Sequence, residues 1–263
     1  KFPEAVTAYR RLVAEAPRGD YVEDAGFQAG LTLVQQGDME AAIAALEKFT
    51  VDYPNSALFG QAVMFLSRAY FDRNETAKAL DTLARTDGRM RSLDHVAFVN
   101  FLSIEIGDRA FDETDYELAL RAYRHTRTRA SLIRLQQRHV AQLQGELAEL
   151  TRRLSGSTQL VSAFREERRL QSSLHQAKEL LAKIEGLPQY DAGLFHRIGS
   201  CFMSTDRFWE ARVAFARVVA EATEPKVKEA AHFDLILCLS RLRRFTEVVA
   251  EADRYLAEYG KDA

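Results

Sequence analysis

Six histidines, two cysteines and one tight acidic cluster are the residues of this 263-residue chain that could do chemistry. Their spacing does not support it. His95, His125, His139, His175, His196 and His232 are scattered without ligand spacing, and there is no paired-histidine zinc helix and no Cys-x-x-Cys. A glycine-rich phosphate loop and a glycine-framed serine elbow are also missing. Asp112, Glu113 and Asp115 lie close enough to suggest a cation, but a calcium loop needs more oxygen ligands, and acids in this pattern suit the start of a helix. The reading is a chain that is not an enzyme, with no catalytic residue, no metal ligand set, no cofactor and no small-molecule substrate.

The elements that would carry any other function are helical. Apolar residues make up 47% and charged residues 28% of the chain, prolines number five, and the formal net charge is -2. Such a composition fits an ordinary helix-rich chain. No run of 18 apolar residues occurs, so a helical membrane span is not expected. The opening residues show no signal peptide. They read as the middle of a repeat, which suggests a piece of a longer protein.

Residues 27–54 give the template. Ala29-Gly30-x-x-Leu33 is followed by the turn Gln36-Gly37-Asp38, then by Ala42-x-x-x-Leu46, Phe49 and Tyr53-Pro54. Gly30 and Ala42 are small where two helices about 8–10 Å apart must cross, and Leu33, Leu46 and Phe49 fill the space beside them. Gly37 suits a left-handed helix end, Asp38 can cap the next helix, and Pro54 stops it. One such hairpin cannot bury its own apolar face, so several must stack. These motifs resemble the tetratricopeptide repeat, a helix-turn-helix unit of about 34 residues.

Read in order, residues 1–17 match a second helix lacking its first, through Ala5, Tyr9, Leu12 and Pro17. Later units carry Leu66-Ser67-x-x-Tyr70 with Asn74, Ala79, Leu83 and the stop Asp87-Gly88. Ile106-Gly107-x-x-Ala110 follows with Ala119 and Tyr123, then Ile198-Gly199-x-x-Phe202 with Arg207-Phe208, Ala211 and Phe215. The last unit is weaker, with Leu235, Leu239, Phe245 and Ala252. Five complete repeats and a leading half are therefore in phase. Cys201 and Cys238 fall at the same place in successive repeats, and equivalent helices sit at least about 8–10 Å apart, too far for the Cα separation of under about 7 Å that a disulfide needs. Both read as small core residues.

Between 126 and 188 the pattern departs from the family. Ile133, Val140, Leu143, Leu147, Leu150 and Leu154 take heptad spacing, Ser155-Gly156-Ser157 breaks the run, and Leu160, Ala163, Leu170, Leu174, Ala177, Leu181 and Ile184 return. Folding at Gly156 pairs Leu154 with Leu160, Leu143 with Leu170, Val140 with Leu174 and Ile133 with Leu181. Arms of this length would extend about 40 Å at 1.5 Å per residue. Glu167 faces Leu147 in this register without an evident reason. The expected fold is all-α: an α-solenoid of tetratricopeptide-like repeats interrupted by a long antiparallel coiled-coil hairpin. Its expected divisions are repeats over 1–126, the hairpin over 127–188 and repeats over 189–263.

Two surfaces are candidate sites. The resemblance implies a concave groove lined by the first helices of the repeats, which places Phe27, Leu31, Met64, Arg68, Phe71, Phe101, Asp108, Phe111, His196, Met203 and Phe233 there. Apolar anchors among a few charges suit a peptide or helix of a partner protein, and the alternative is that these residues are ordinary core. The lysine and asparagine clamp that the family uses for a C-terminal carboxylate is missing. The second surface is basic: from Leu118 to Gly145 no acid occurs, and the hairpin register puts Arg124, Arg127, Arg134 and Arg138 on an outer face. An acidic protein, an anionic lipid or nucleic acid could meet it, against the alternative of a solvated helix face. Without aromatic stacking residues nearby, nucleic acid is disfavoured.

The function read from the sequence is a protein-protein interaction scaffold or adaptor. The alternatives are a nucleic-acid-associated regulator using the basic stripe and an accessory region of a larger enzyme. The Tyr53-Pro54-Asn55-Ser56 spacing resembles repeats of bacterial envelope proteins, which favours a periplasmic or envelope-associated setting over a cytoplasmic one.

Overall fold

The computed structural model describes residues 2–16, 19, 21–86, 94–154 and 160–260, without the side chains of 94, 154 and 160–163. Pro17, Asp87-Gly88, the Ser155-Gly156-Ser157 break and the Leu154 and Leu160 pairing lie outside the described residues. Among the described residues there are thirteen α-helices and no strand. They divide into two compact units, 1–126 and 127–263.

The first unit holds α1 (Phe2–Glu15), α2 (Val22–Gln36), α3 (Met39–Asp52), α4 (Phe59–Asp72), α5 (Thr76–Ala84), α6 (Asp94–Asp112) and α7 (Tyr116–Tyr123). Each helix packs on the next, so the unit is a stack of tetratricopeptide-type helical hairpins. Helix α1 stands as a second helix against α2, where Val6 joins Leu33 and Ala42 in one core. The crossing of α2 and α3 follows the small-residue rule: a Cβ built on Gly30 would lie 2.6 Å from Leu46 Cδ2, so only glycine fits there. In the next repeat Ser67 takes that position, and its buried hydroxyl donates to the Ala79 carbonyl at 2.7 Å. A buried polar group is thereby satisfied within the packing. Leu46, Phe49, Leu66, Leu80, Leu83 and Ile106 are fully buried, each removing roughly 1.5–3 kcal/mol worth of apolar surface from water.

The turns between first and second helices share one backbone device. Gly37 ends α2 at φ 83°, and the corresponding Asn74, Thr114, Asp206 and Arg243 have φ of 61°, 62°, 58° and 57°. The left-handed residue lets the chain reverse within a few residues and leaves the next one at the N-terminal boundary of the second helix, where two of the five cap it with a side chain. Asp38 accepts from Ala41 N at 3.1 Å, and Asp115 accepts from Leu118 N at 3.0 Å. The acidic cluster thus has a capping role at Asp115.

The second unit holds α8 (Arg129–Leu154), α9 (Leu160–Gly186), α10 (Asp191–Ser204), α11 (Phe208–Glu221), α12 (Pro225–Arg241) and α13 (Phe245–Tyr259). Helices α8 and α9 lie antiparallel, with Val140, Leu143 and Ala177 in a shared core flanked by Leu170, Leu174 and Leu181. Buried Gln136 donates from Nε2 to the Ala177 carbonyl at 3.0 Å in the middle of this contact. Glu167 is half-buried and accepts from Gln171 Nε2 at 3.2 Å, which answers its polar character one turn along the same helix. At the base, Arg129 donates from Nε to the Leu187 carbonyl at 3.0 Å, and its backbone N–H reaches Asp191 Oδ1 at 2.8 Å. These bonds tie the pair of long helices to the start of α10. The repeats α10 to α13 share a separate core of Ala211, Phe215, Val218, Ala231, Leu235, Cys238 and Leu239. Pro225 opens α12 at its first turn, where its missing N–H costs nothing.

Candidate functional site

In the first unit the candidate groove residues come from α2, α4 and α6. Phe27, Met64 and Phe71 are buried and offer no open surface. The reason is stacking: the first helix of each repeat covers that of the one before, so the Phe27 ring meets Phe49 at 5.9 Å and Phe65 of α4 at 6.2 Å. Phe65 in turn meets Phe98 of α6 at 6.3 Å, making an aromatic row across three successive first helices. Leu31, Phe101 and Phe111 are half-buried. Arg68 is half-buried as well, held by Asp72 Oδ1 at 3.0 Å on its own helix and Glu105 Oε2 at 2.8 Å on α6. Asp108 accepts from the Tyr123 hydroxyl at 2.7 Å. Arg109 lies over the Phe71 ring at 3.6 Å and donates to its carbonyl at 2.5 Å. Of the polar candidates, Arg68 joins one repeat to the next, and Asp108 joins the two helices of its own repeat. A concavity of about 550 Å³ runs between α1 and α3, floored by Gly26 and Ala29 of α2 and edged by Arg10, Lys48 and Asp52.

In the second unit the groove residues come from α10 and α12 and behave differently. His196 Nε2 lies 2.9 Å from Asp234 Oδ2, with the His196 ring against Phe215 at 5.5 Å. Met203 is half-buried, its Sδ 3.7 Å from Cys238 Sγ. Phe233 and, one turn on, Leu237 stay 50% and 40% exposed. This face combines open apolar side chains with a buried-edge His–Asp pair. Cys201 and Cys238 are buried and neither is in a disulfide, and burial, reinforced by the Asp234 charge, pushes the Cys238 thiol up to about 11. Such a thiol is a poor nucleophile.

The arginines of the basic stretch divide between the two units. Arg124 ends α7 in the first, and Arg127, Arg134 and Arg138 belong to the second; all four are exposed. Arg134 and Arg138 stand one turn apart on α8, beside Gln137 and Ala141 in a shallow depression. Among the described residues no group of three or more histidine, cysteine or acidic side chains converges as a metal site, and no helix is long and apolar enough to cross a membrane.

Sequence reasoning missed Phe65, Phe98, Arg109, Asp234 and Leu237. A signal for several of them exists in the spacing of neighbouring repeats. Arg68 and Glu105 are 37 residues apart, and Arg109 with Phe71 and His196 with Asp234 are each 38 apart. Scanning for basic and acidic residues at that separation would have found Arg68 with Glu105 and His196 with Asp234.

No curated protein matches the chain. Among solved structures it is similar to the MamA protein, at 14% identity over 98% of this chain and 94% of that one, with a TM-score of 0.38. It is also similar to a tetratricopeptide repeat protein from Parabacteroides merdae, at 12% identity over 90% and 92% of the two chains, with a TM-score of 0.37. The model of one family, YfiO, described as outer membrane lipoprotein, matches residues 18–185. That match takes in the first unit from α2 onward and both long helices of the second, so the chain belongs to the YfiO family.

Proposed function

We propose that the chain is an adaptor that holds a peptide or helix of a partner protein along the first helices of its repeats, with the face of α10 and α12 as the main contact. Repeat folds of this type generally mediate protein-protein interactions, and scaffolds of the kind are typically non-enzymatic. The observation that carries the reading is the exposure of Phe233 and Leu237 beside the His196–Asp234 pair. Apolar anchors spaced by one turn match side chains of a docked helix, and a polar pair at their edge can orient it. The description of the family as an outer membrane lipoprotein supports an envelope setting for that partner. The test is a pull-down from the envelope fraction of the native host with the wild-type chain and with a Phe233→Ala, Leu237→Ala variant. Loss of a wild-type-retained protein, with an unchanged melting temperature, supports the groove. Equal retention by both chains overturns it.

A second contact is carried by the absence of any acid between Leu118 and Gly145. Exposed Arg134 and Arg138 would dock an acidic surface of the same or another partner. Reversing both to glutamate should weaken that capture, and salt should weaken it in the wild type, because screening shortens to about 3 Å at 1 M.

A further inference from the structure

Six basic or acidic side chains lie on α12, and neighbouring helices engage four of them. Lys228 pairs with Glu258 of α13 at 2.7 Å, and Glu229 accepts from the Tyr255 hydroxyl at 3.1 Å. His232 Nε2 lies 3.2 Å from Glu251 Oε2, and Asp234 meets His196 of α10. Lys226 and Arg241 are left. Both are exposed, and neither side chain has an ion pair or hydrogen bond among the described residues. They share a side of the helix with the open anchors: Lys226, Ala230, Phe233, Leu237 and Arg241 are all exposed and recur every three or four residues.

The open side of α12 is therefore an apolar centre with an uncommitted cation toward each end, the two about 22 Å apart along the axis at 1.5 Å per residue. No acid interrupts it. Glu229 and Asp234 turn aside to α13 and α10, and Glu224 stands two residues before Lys226 and so not on its side. Arg241, in the last turn, suits the dipole of its own helix, but Lys226 stands in the first turn, where a cation is disfavoured. Local structure thus gives Lys226 no role. A helix laid on Phe233 and Leu237 would supply one for both cations if it carried carboxylates beyond its apolar anchors, since such charges at the rim set which partner is accepted.

We propose that the segment received by this face is an amphipathic helix with apolar anchors one turn apart at its centre and acidic residues toward both ends, held there by Lys226 and Arg241; this rests on the reading of the α10 and α12 face as the docking surface. The probe is an alanine-based helical peptide of about 20 residues, with two central leucines one turn apart and a pair of glutamates at each end. Titrated into the full chain at low salt, it should bind at least about tenfold tighter than the same peptide with glutamine ends, and salt should erase the difference. A Lys226→Glu, Arg241→Glu chain should melt at the wild-type temperature, since both side chains are exposed and unpaired, and should prefer a peptide with lysine ends. The Phe233→Ala, Leu237→Ala chain should bind none of the peptides. Equal binding of glutamate-ended and glutamine-ended peptides by the wild type, lost in the Phe233→Ala, Leu237→Ala chain, overturns the acidic-helix inference and leaves the docking face standing. Unchanged binding by the Phe233→Ala, Leu237→Ala chain removes the face itself. No binding of the glutamate-ended peptide to the wild type overturns the inference. So does a dimer of the chain that the Phe233→Ala, Leu237→Ala change dissociates, which would assign the face to a second copy.

Discussion

Gly199 lies so close to the ring of Phe215 that a Cβ placed on it would come 2.6 Å from Phe215 Cε1. The same relation holds between Gly30 and Leu46 and between Gly107 and Tyr123, so in these three repeats a glycine sets how near the two helices come. Gly199→Ala should therefore destabilise the second unit by about 1–3 kcal/mol, the usual cost of overpacking a filled core. Gly145 is the control. It sits inside α8 with nothing within 4 Å of the added Cβ, and Gly145→Ala should stabilise by about 1 kcal/mol through helix propensity alone. Thermal melts of the two variants should move in opposite directions.

Thr114 holds a left-handed backbone at φ 62° in the turn before α7, a conformation that a β-branched residue adopts at a cost. Replacing it by glycine should stabilise the first unit by about 1 kcal/mol. Denaturant unfolding should show a higher midpoint with an unchanged slope. No gain would mean that contacts of the threonine side chain offset the strain.

The Cys238 thiol is held up to about 11, against an ordinary value of 9.0, first by burial and then by the charge of Asp234. A raised thiol pKa means that the folded chain keeps a proton which the unfolded chain releases. The stabilisation is fully present below pH 9 and is lost as pH rises toward 11, by up to about 2 kcal/mol. Comparing wild type with Cys238→Ala isolates this loss from that of tyrosines such as Tyr70, held up to about 12 by burial and Glu47. A thiol reagent at pH 8 should label neither Cys201 nor Cys238 until the chain unfolds.

Gln136 is buried between α8 and α9 with its amide on the Ala177 carbonyl. That carbonyl lies within α9 and keeps its helical bond without the glutamine. Gln136→Leu should accordingly leave stability unchanged or raise it by about 1 kcal/mol, while Gln136→Ala should lose about 1–2 kcal/mol to a cavity. A larger loss for the leucine variant in chemical denaturation would show that the amide bond itself holds the pair together.

Much of the helical layout was legible in the residues, because it depends on local chemistry. Asp38 and Asp115 are read as caps from their place before an apolar period, and the small residue at Gly30, Gly107 and Gly199 marks each crossing. Periodicity also located the partners of Val140 and Leu143 on α9, since two antiparallel helices have few registers that bury every apolar side chain. The turn device was legible at Gly37 and at Asn74. Thr114 and Arg243 adopt the same backbone with residues that do not favour it, because packing of the helices on either side dictates the reversal.

The groove was decided by the tertiary structure. Phe27 and Phe233 occupy corresponding places in their repeats and have the same side chain, yet one is buried and the other half open. Nothing local distinguishes them. Phe27 is covered by Phe65, which belongs to the next repeat, whereas Phe233 belongs to the last repeat described. The sequence by itself determined which residues face along the stack, since that follows from helical period. Whether such a face is core or surface depends on the neighbour laid over it, and only the stacking of one repeat on another supplies that neighbour.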